Sequence, residues 1–297
     1  MVFLWDMQIK HNDMLDFSKY KFFYVNGCSF TEGGGLEEPK IRDKSLRPFY
    51  EKYYNVTWKD RLEVNWAGRL SQISKIPVIN EAACGGGIMR SIRMTYDFIY
   101  KNWKNKHEFF IILENPDLGR CDVYHKKTNS HFIVNINPKD GKLLYATRNY
   151  HASDSIIEDD SLQDIFNNWA DNHYSLENEN IETEKALIGL YSFCKLNEIK
   201  IIIMNNNFTI FDNIIDESDI VFFDKKNDDG IHSFCLRNEL TIFDEMNTFM
   251  VNTNDRHPGF FGHIEYAKRM AYYLGWSGKL PDFPIYYKPE SINKFLI

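Results

Sequence analysis

Apolar positions gather in five short runs: KFFYV at 21–25, PVIN at 77–80, FFIIL at 109–113, KIIIM at 200–204 and IVFF at 220–223. A strand with one wet face alternates polar and apolar residues. These runs are rich in Ile, Val and Phe and do not alternate, so they predict strands covered on both faces, as in a parallel sheet between helices. Helical spacing fills the gaps, at WAGRLSQIS (66–74), 89–103, 182–197 and 262–274. In the third of these, Leu187, Leu190, Tyr191 and Cys194 share one face; in the last, Ile264, Ala267, Met270 and Ala271 recur at helical intervals. Strand and helix in alternation predict a doubly wound, three-layer α/β fold with a parallel five-stranded sheet.

Two stretches interrupt that rhythm. Residues at about 34–59 form a long, charged, aromatic connection. Residues at about 121–160 contain HFIVNINPKDGKLLY, two strand-like runs around a Pro-Lys-Asp-Gly turn, which predicts an inserted β-hairpin. Long connections of this kind often serve as lids or binding loops. The chain has 297 residues, which suits a single α/β domain over 1–297 carrying these two insertions. Some of the 23 Phe, 17 Tyr and 6 Trp must build the core, and a surplus on loops could line a ligand groove.

Charge and cysteine usage exclude several functions. The formal net charge is -7 with signs interspersed, so no basic stripe invites nucleic acid. Five cysteines without a CxxC pair suggest neither a disulfide framework nor a zinc site, and the odd count fits a reducing compartment. The nine histidines include no HExxH pair, so no metal is expected. No glycine run completes GxxxxGK[ST] or GxGxxG, and no nucleotide or other cofactor is expected. The opening MVFLW is shorter than a signal-peptide core, and no run approaches the roughly 20 apolar residues of a membrane helix. The expectation is a cytoplasmic protein without a membrane partner.

Three segments carry candidate chemistry. In Asn26-Gly27-Cys28-Ser29-Phe30-Thr31 a strand ends, Gly27 permits a tight turn, and Ser29 stands at the carboxyl end of the first strand, where open α/β sheets bind ligands. Taken alone, the same serine also reads as a helix N-cap. In Asn80-Glu81-Ala82-Ala83-Cys84-Gly85-Gly86-Gly87 three glycines let backbone approach a substrate, or simply form a turn. In Asp255-Arg256-His257-Pro258-Gly259, just before the last helix, a loop histidine held by proline can act as a general base, with Asp255 to fix its tautomer.

In this order the three segments resemble the sequence blocks of the SGNH/GDSL hydrolase superfamily. They look closest to its divergent phage- and bacteria-associated members, which begin with a Gly-Cys-Ser-Phe-Thr run. The resemblance runs from about residue 22 to 274 and leaves the 121–160 insertion uncovered. It implies a flavodoxin-like three-layer fold and a serine esterase acting on an acetyl or short acyl ester of a carbohydrate. It implies Ser29 as nucleophile and His257 as base; Asp255, two residues before His257, is the candidate carboxylate partner from a different loop geometry, the alternative being a Ser29–His257 dyad. Oxyanion donors would be the N–H groups of Ser29 and Gly85 and the amide of Asn115. Two departures stand out. Asn115 lies in Leu113-Glu114-Asn115-Pro116-Asp117, without the glycine of the family's Gly-x-Asn-Asp block, and the residue three before His257 is Asn254 rather than Asp. Asp229-Gly230-Ile231-His232 has the Asp-x-x-His spacing but lacks the proline and the terminal helix, so His232 is a rival base. The departures also admit a non-catalytic glycan-binding or virion-surface module, and the same site would serve an O-acetyltransferase.

Overall fold

A computed structural model of the chain describes residues 15–34, 36, 58–116, 118–147, 160–205, 230–244 and 256–281. They fall into two compact units. A sheet unit comprises Lys19–Glu32 and Pro77–Gly230, and a helical unit comprises Met1–Ser18, Gly33–Ile76 and Ile231–Ile297. The described strands are β1 (Phe22–Asn26), β2 (Val78–Asn80), β3 (Phe109–Asn115), β4 (Arg120–His125), β5 (Ser130–Ile136), β6 (Leu143–Thr147) and β7 (Lys200–Asn205). The helices are α1 (Ser29–Glu32), α2 (Trp58–Val64), α3 (Trp66–Ser74), α4 (Ile88–Lys101), α5 (Asp160–His173), α6 (Leu176–Leu196), α7 (Ile231–Arg237) and α8 (Phe260–Tyr273). None of the described helices is long and apolar enough to cross a membrane.

In the sheet unit, four strands form a parallel sheet in the order β2-β1-β3-β7. The fold is α/β as the apolar runs predict. The fifth strand expected at 220–223 lies outside the described residues. Tyr24, Ile111, Leu113, Ile201 and Ile203 pack with Ile88, Ile92, Phe98 and Ile99 of α4 and with Leu187, Leu190 and Cys194 of α6. The alternate residues Phe23, Val25, Phe110, Ile112, Ile202 and Met204 are buried as well, which is why these strands carry no polar alternation. Helix α6 begins a turn and a half before the expected 182. Ser175 caps it by accepting the Asn178 N–H at 3.3 Å, and Glu177 and Glu179 favour its first turn.

The insertion expected as a hairpin is a three-stranded antiparallel sheet, β4-β5-β6. Strand β4 (RCDVYH) is polar enough to hide in the sequence, because only Cys121 and Val123 turn toward apolar neighbours. That face has its own small core, in which Phe132, Val134, Ile136 and Ala146 meet Phe166 and Ala170 of α5.

In the helical unit, α8 packs against α2, α3 and α7. Trp66 and Tyr266 meet edge to face at 5.8 Å, and Leu70, Ile73, Ala267, Met270 and Ala271 are buried. Asn65 caps α3 by accepting the Gly68 N–H at 2.8 Å. Lys75, in the left-handed region at φ 60°, ends it.

Candidate active site

Register defines one edge of the parallel sheet. Val25 stands opposite Asn80, and Asn26 opposite Leu113, so β1, β2 and β3 all end on the same side. Strand order reverses between β1 and β3, and ligands of open α/β sheets bind outside the carboxyl ends at such a reversal. The segments holding Ser29, Asn80 to Gly85 and Asn115 all leave from this edge. Asn115 is the last residue of β3 and is buried.

The turn after β1 is fixed from three directions. The Cys28 carbonyl accepts the N–H groups of Thr31 and Glu32 at 3.1 and 3.0 Å, so Cys28 caps the single helical turn that Ser29 opens. The Glu114 carboxylate, buried at the end of β3, accepts the Cys28 N–H at 3.0 Å and the Thr31 hydroxyl at 2.6 Å through Oε2. The second loop then ties on: Ala83 N–H donates to the Gly27 carbonyl at 3.2 Å, and Asn80 Nδ2 donates to the Thr31 carbonyl at 3.1 Å. Asn80 Oδ1 accepts the Ala82 N–H at 3.0 Å, so Asn80 holds both loops at once. Below them, Asn26 Oδ1 accepts from Gly27 N–H at 2.8 Å and from Arg90 at 3.1 Å, while Arg90 also donates to the Glu81 carbonyl at 3.0 Å.

Ser29 is 4% exposed at the head of α1. Its neighbour Cys28 is no rival nucleophile: burial pushes the thiol far up, and the Glu114 carboxylate adds to that, against a smaller pull from the Arg120 guanidinium. Sequence reading named Ser29, Gly85 and Asn115 but missed Glu114, Arg90 and Arg120. The signal for Glu114 was present, as the one acid at the end of FFIILEN.

The three-stranded sheet closes on the glycine loop. Gly85 has φ +70°, which disfavours any side chain there. A Cβ on it would stand 2.9 Å from the Tyr145 hydroxyl and 3.0 Å from Asn135 Nδ2. A Cβ on Gly87 would lie 1.6 Å from the Arg120 carbonyl oxygen, an overlap that backbone movement alone relieves. Gly87→Ala is therefore expected to cost about 3 kcal/mol or more. The check is a urea titration, in which a midpoint matching the parent would disprove the close approach.

The candidate base stands in the helical unit. Ile242 N–H donates to the His257 carbonyl and Gly259 N–H to the Leu240 carbonyl, both at 2.8 Å, with Thr241 bridged to Pro258. This clamps His257-Pro258 as a short antiparallel segment before α8. His232 lies instead within α7. Asp255, the expected orienting carboxylate of His257, falls outside the described residues, as do Asn254 and Asp229. Six residues on from His257, His263 is fully buried, and its Nδ1 accepts the Trp66 N–H at 3.1 Å. Burial, with the neighbouring His257 and Arg69, pulls its pKa down to about 3, so this ring is a neutral structural group.

No protein-family model matches the sequence. No curated protein matches it significantly. Among solved structures, one from Desulfitobacterium hafniense, described as a "putative lipolytic protein of G-D-S-L family", superposes with a TM-score of 0.40 at 11% identity, over 85% of this chain and 99% of that one.

Proposed function

We propose that the protein is a serine hydrolase of the SGNH type that cleaves an acetyl or short acyl ester of a carbohydrate. The observation that supports the reading is the shared edge of the parallel sheet, where the turn bearing Ser29, the loop from Asn80 to Gly85 and the end of β3 at Asn115 meet at the β1/β3 reversal.

On this reading His257 takes the Ser29 proton as Oγ attacks the ester carbonyl, and Asp255 orients the imidazole. The Ser29 and Gly85 N–H groups with the Asn115 amide hold the developing oxyanion, where the loss of one donor typically costs about 10²–10³ in rate. His257 then returns the proton to the leaving alcohol, and water releases the acyl group by the same route.

A fluorophosphonate probe tests this directly. The folded protein is expected to take the label at Ser29, with labelling slowed strongly in His257→Ala and little changed in His232→Ala. Folded protein that takes no label would leave the glycan-binding alternative standing, and the opposite order of the two variants would move the base to His232.

A further inference from the structure

Three residues of the inserted sheet stand in one cross-strand row. Asn135 of β5 pairs with Arg120 of β4 on one side and with Tyr145 of β6 on the other. Their neighbours along β5, Val134 and Ile136, point into the apolar core on the opposite face, so the row looks away from that core. It looks at the glycine loop, since Asn135 Nδ2 and the Tyr145 hydroxyl are the nearest groups to the face of Gly85.

Asn135 is 5% exposed, and its Nδ2 has no hydrogen-bond partner among the described residues. Buried amide donors are almost always satisfied, because leaving one dry forfeits its bonds to water. A strand otherwise reading F-I-V-x-I could carry an apolar side chain here. An amide held without a partner beside a candidate oxyanion loop therefore points to a partner that arrives with the substrate. Tyr145 adds a second donor, because burial raises its phenol and keeps it protonated.

We propose that Asn135, supplied by the insertion, is a substrate-binding residue of this site, with Nδ2 donating to an oxygen of the bound ester beside Gly85. The proposal rests on the serine-hydrolase reading above. It gives the insertion a function: β5 and β6 bring donors that the parallel sheet does not supply.

The test compares the parent with Asn135→Leu, which keeps the branched shape in apolar form, and Asn135→Asp, which keeps the size; neither carries the amide donor. Fluorophosphonate labelling, kcat and KM on 4-nitrophenyl acetate and melting temperature are measured for each. Losing the donor is expected to lower kcat/KM at least about tenfold. Asn135→Leu is expected to melt no lower than the parent, because it removes a buried group without a partner. A structural role would show the reverse, a lower melting temperature in both variants with activity falling only alongside it, and that result overturns the proposal. Parent-like kcat/KM in either stable variant also overturns it while leaving the hydrolase reading intact. A folded parent that takes no label and turns over no ester overturns the hydrolase reading, and this role for Asn135 falls with it.

Discussion

Ser29→Ala is expected to lower kcat on 4-nitrophenyl acetate by about 10⁴–10⁶-fold while leaving the melting temperature nearly unchanged. The magnitude follows from what a nucleophile contributes. Without Oγ there is no acyl-enzyme, and what survives comes only from the oxyanion donors and from binding. Cys28 does not rescue the reaction. Its thiol is buried and its pKa is pushed far up, so the thiolate that would attack is absent near neutral pH. Stability is spared because the turn is held by main-chain and neighbouring groups, namely the Cys28 carbonyl, Glu114 and Asn80. A variant within tenfold of the parent would rule Ser29 out as nucleophile.

The second large effect concerns acid stability, and it comes from His263. The ring is neutral in the folded protein with its pKa near 3, against about 6.5 in an unfolded chain. Between these values the unfolded state binds a proton that the folded state does not. Stability is therefore full above about pH 6.5 and declines as pH falls toward 3. By pH 4 the loss amounts to on the order of 3 kcal/mol from this one group. Its neighbours among the described residues oppose protonation: the Trp66 N–H already occupies Nδ1, and the electrostatic influence of His257 and Arg69 adds to the effect of burial. His263→Asn keeps an acceptor for the Trp66 N–H and does not titrate. Its urea midpoint, lower at pH 7, is expected to fall less steeply between pH 6.5 and 4. Parallel pH profiles for the two proteins would refute the assignment.

What could be read from the sequence was whatever depends on local pattern. Residues 66–74 were expected as a helix and form α3, because Asn65 caps one end and an apolar stripe occupies one face. The runs at 109–113 and 200–204 became β3 and β7, and each extends past its apolar stretch, through Glu114-Asn115 and Asn205. Glu114, in the first of these extensions, makes long-range contacts to the turn after β1, and periodicity ignores it. Strand β4 went unseen because its burial depends on β5 and α5, not on its own composition. The same holds for the site. Ser29 could be named from a motif, whereas Glu114 was marked only as an acid at the end of an apolar run and Asn135 not at all. The role of a buried acid or a buried amide emerges only when the fold shows what it faces.

The bond from Cys28 N–H to Glu114 joins residues 86 positions apart, and the pairing of β1 with β3 joins segments about as far apart in sequence. Contacts between such distant segments form only after the cost of closing the intervening loop has been met, which slows folding. The turn that carries Ser29 thus acquires its shape late. A nascent chain that ends before residue 114 would contain Ser29 but not Glu114, which holds its turn. The order of synthesis itself keeps the Ser29 turn from being assembled on an unfinished protein.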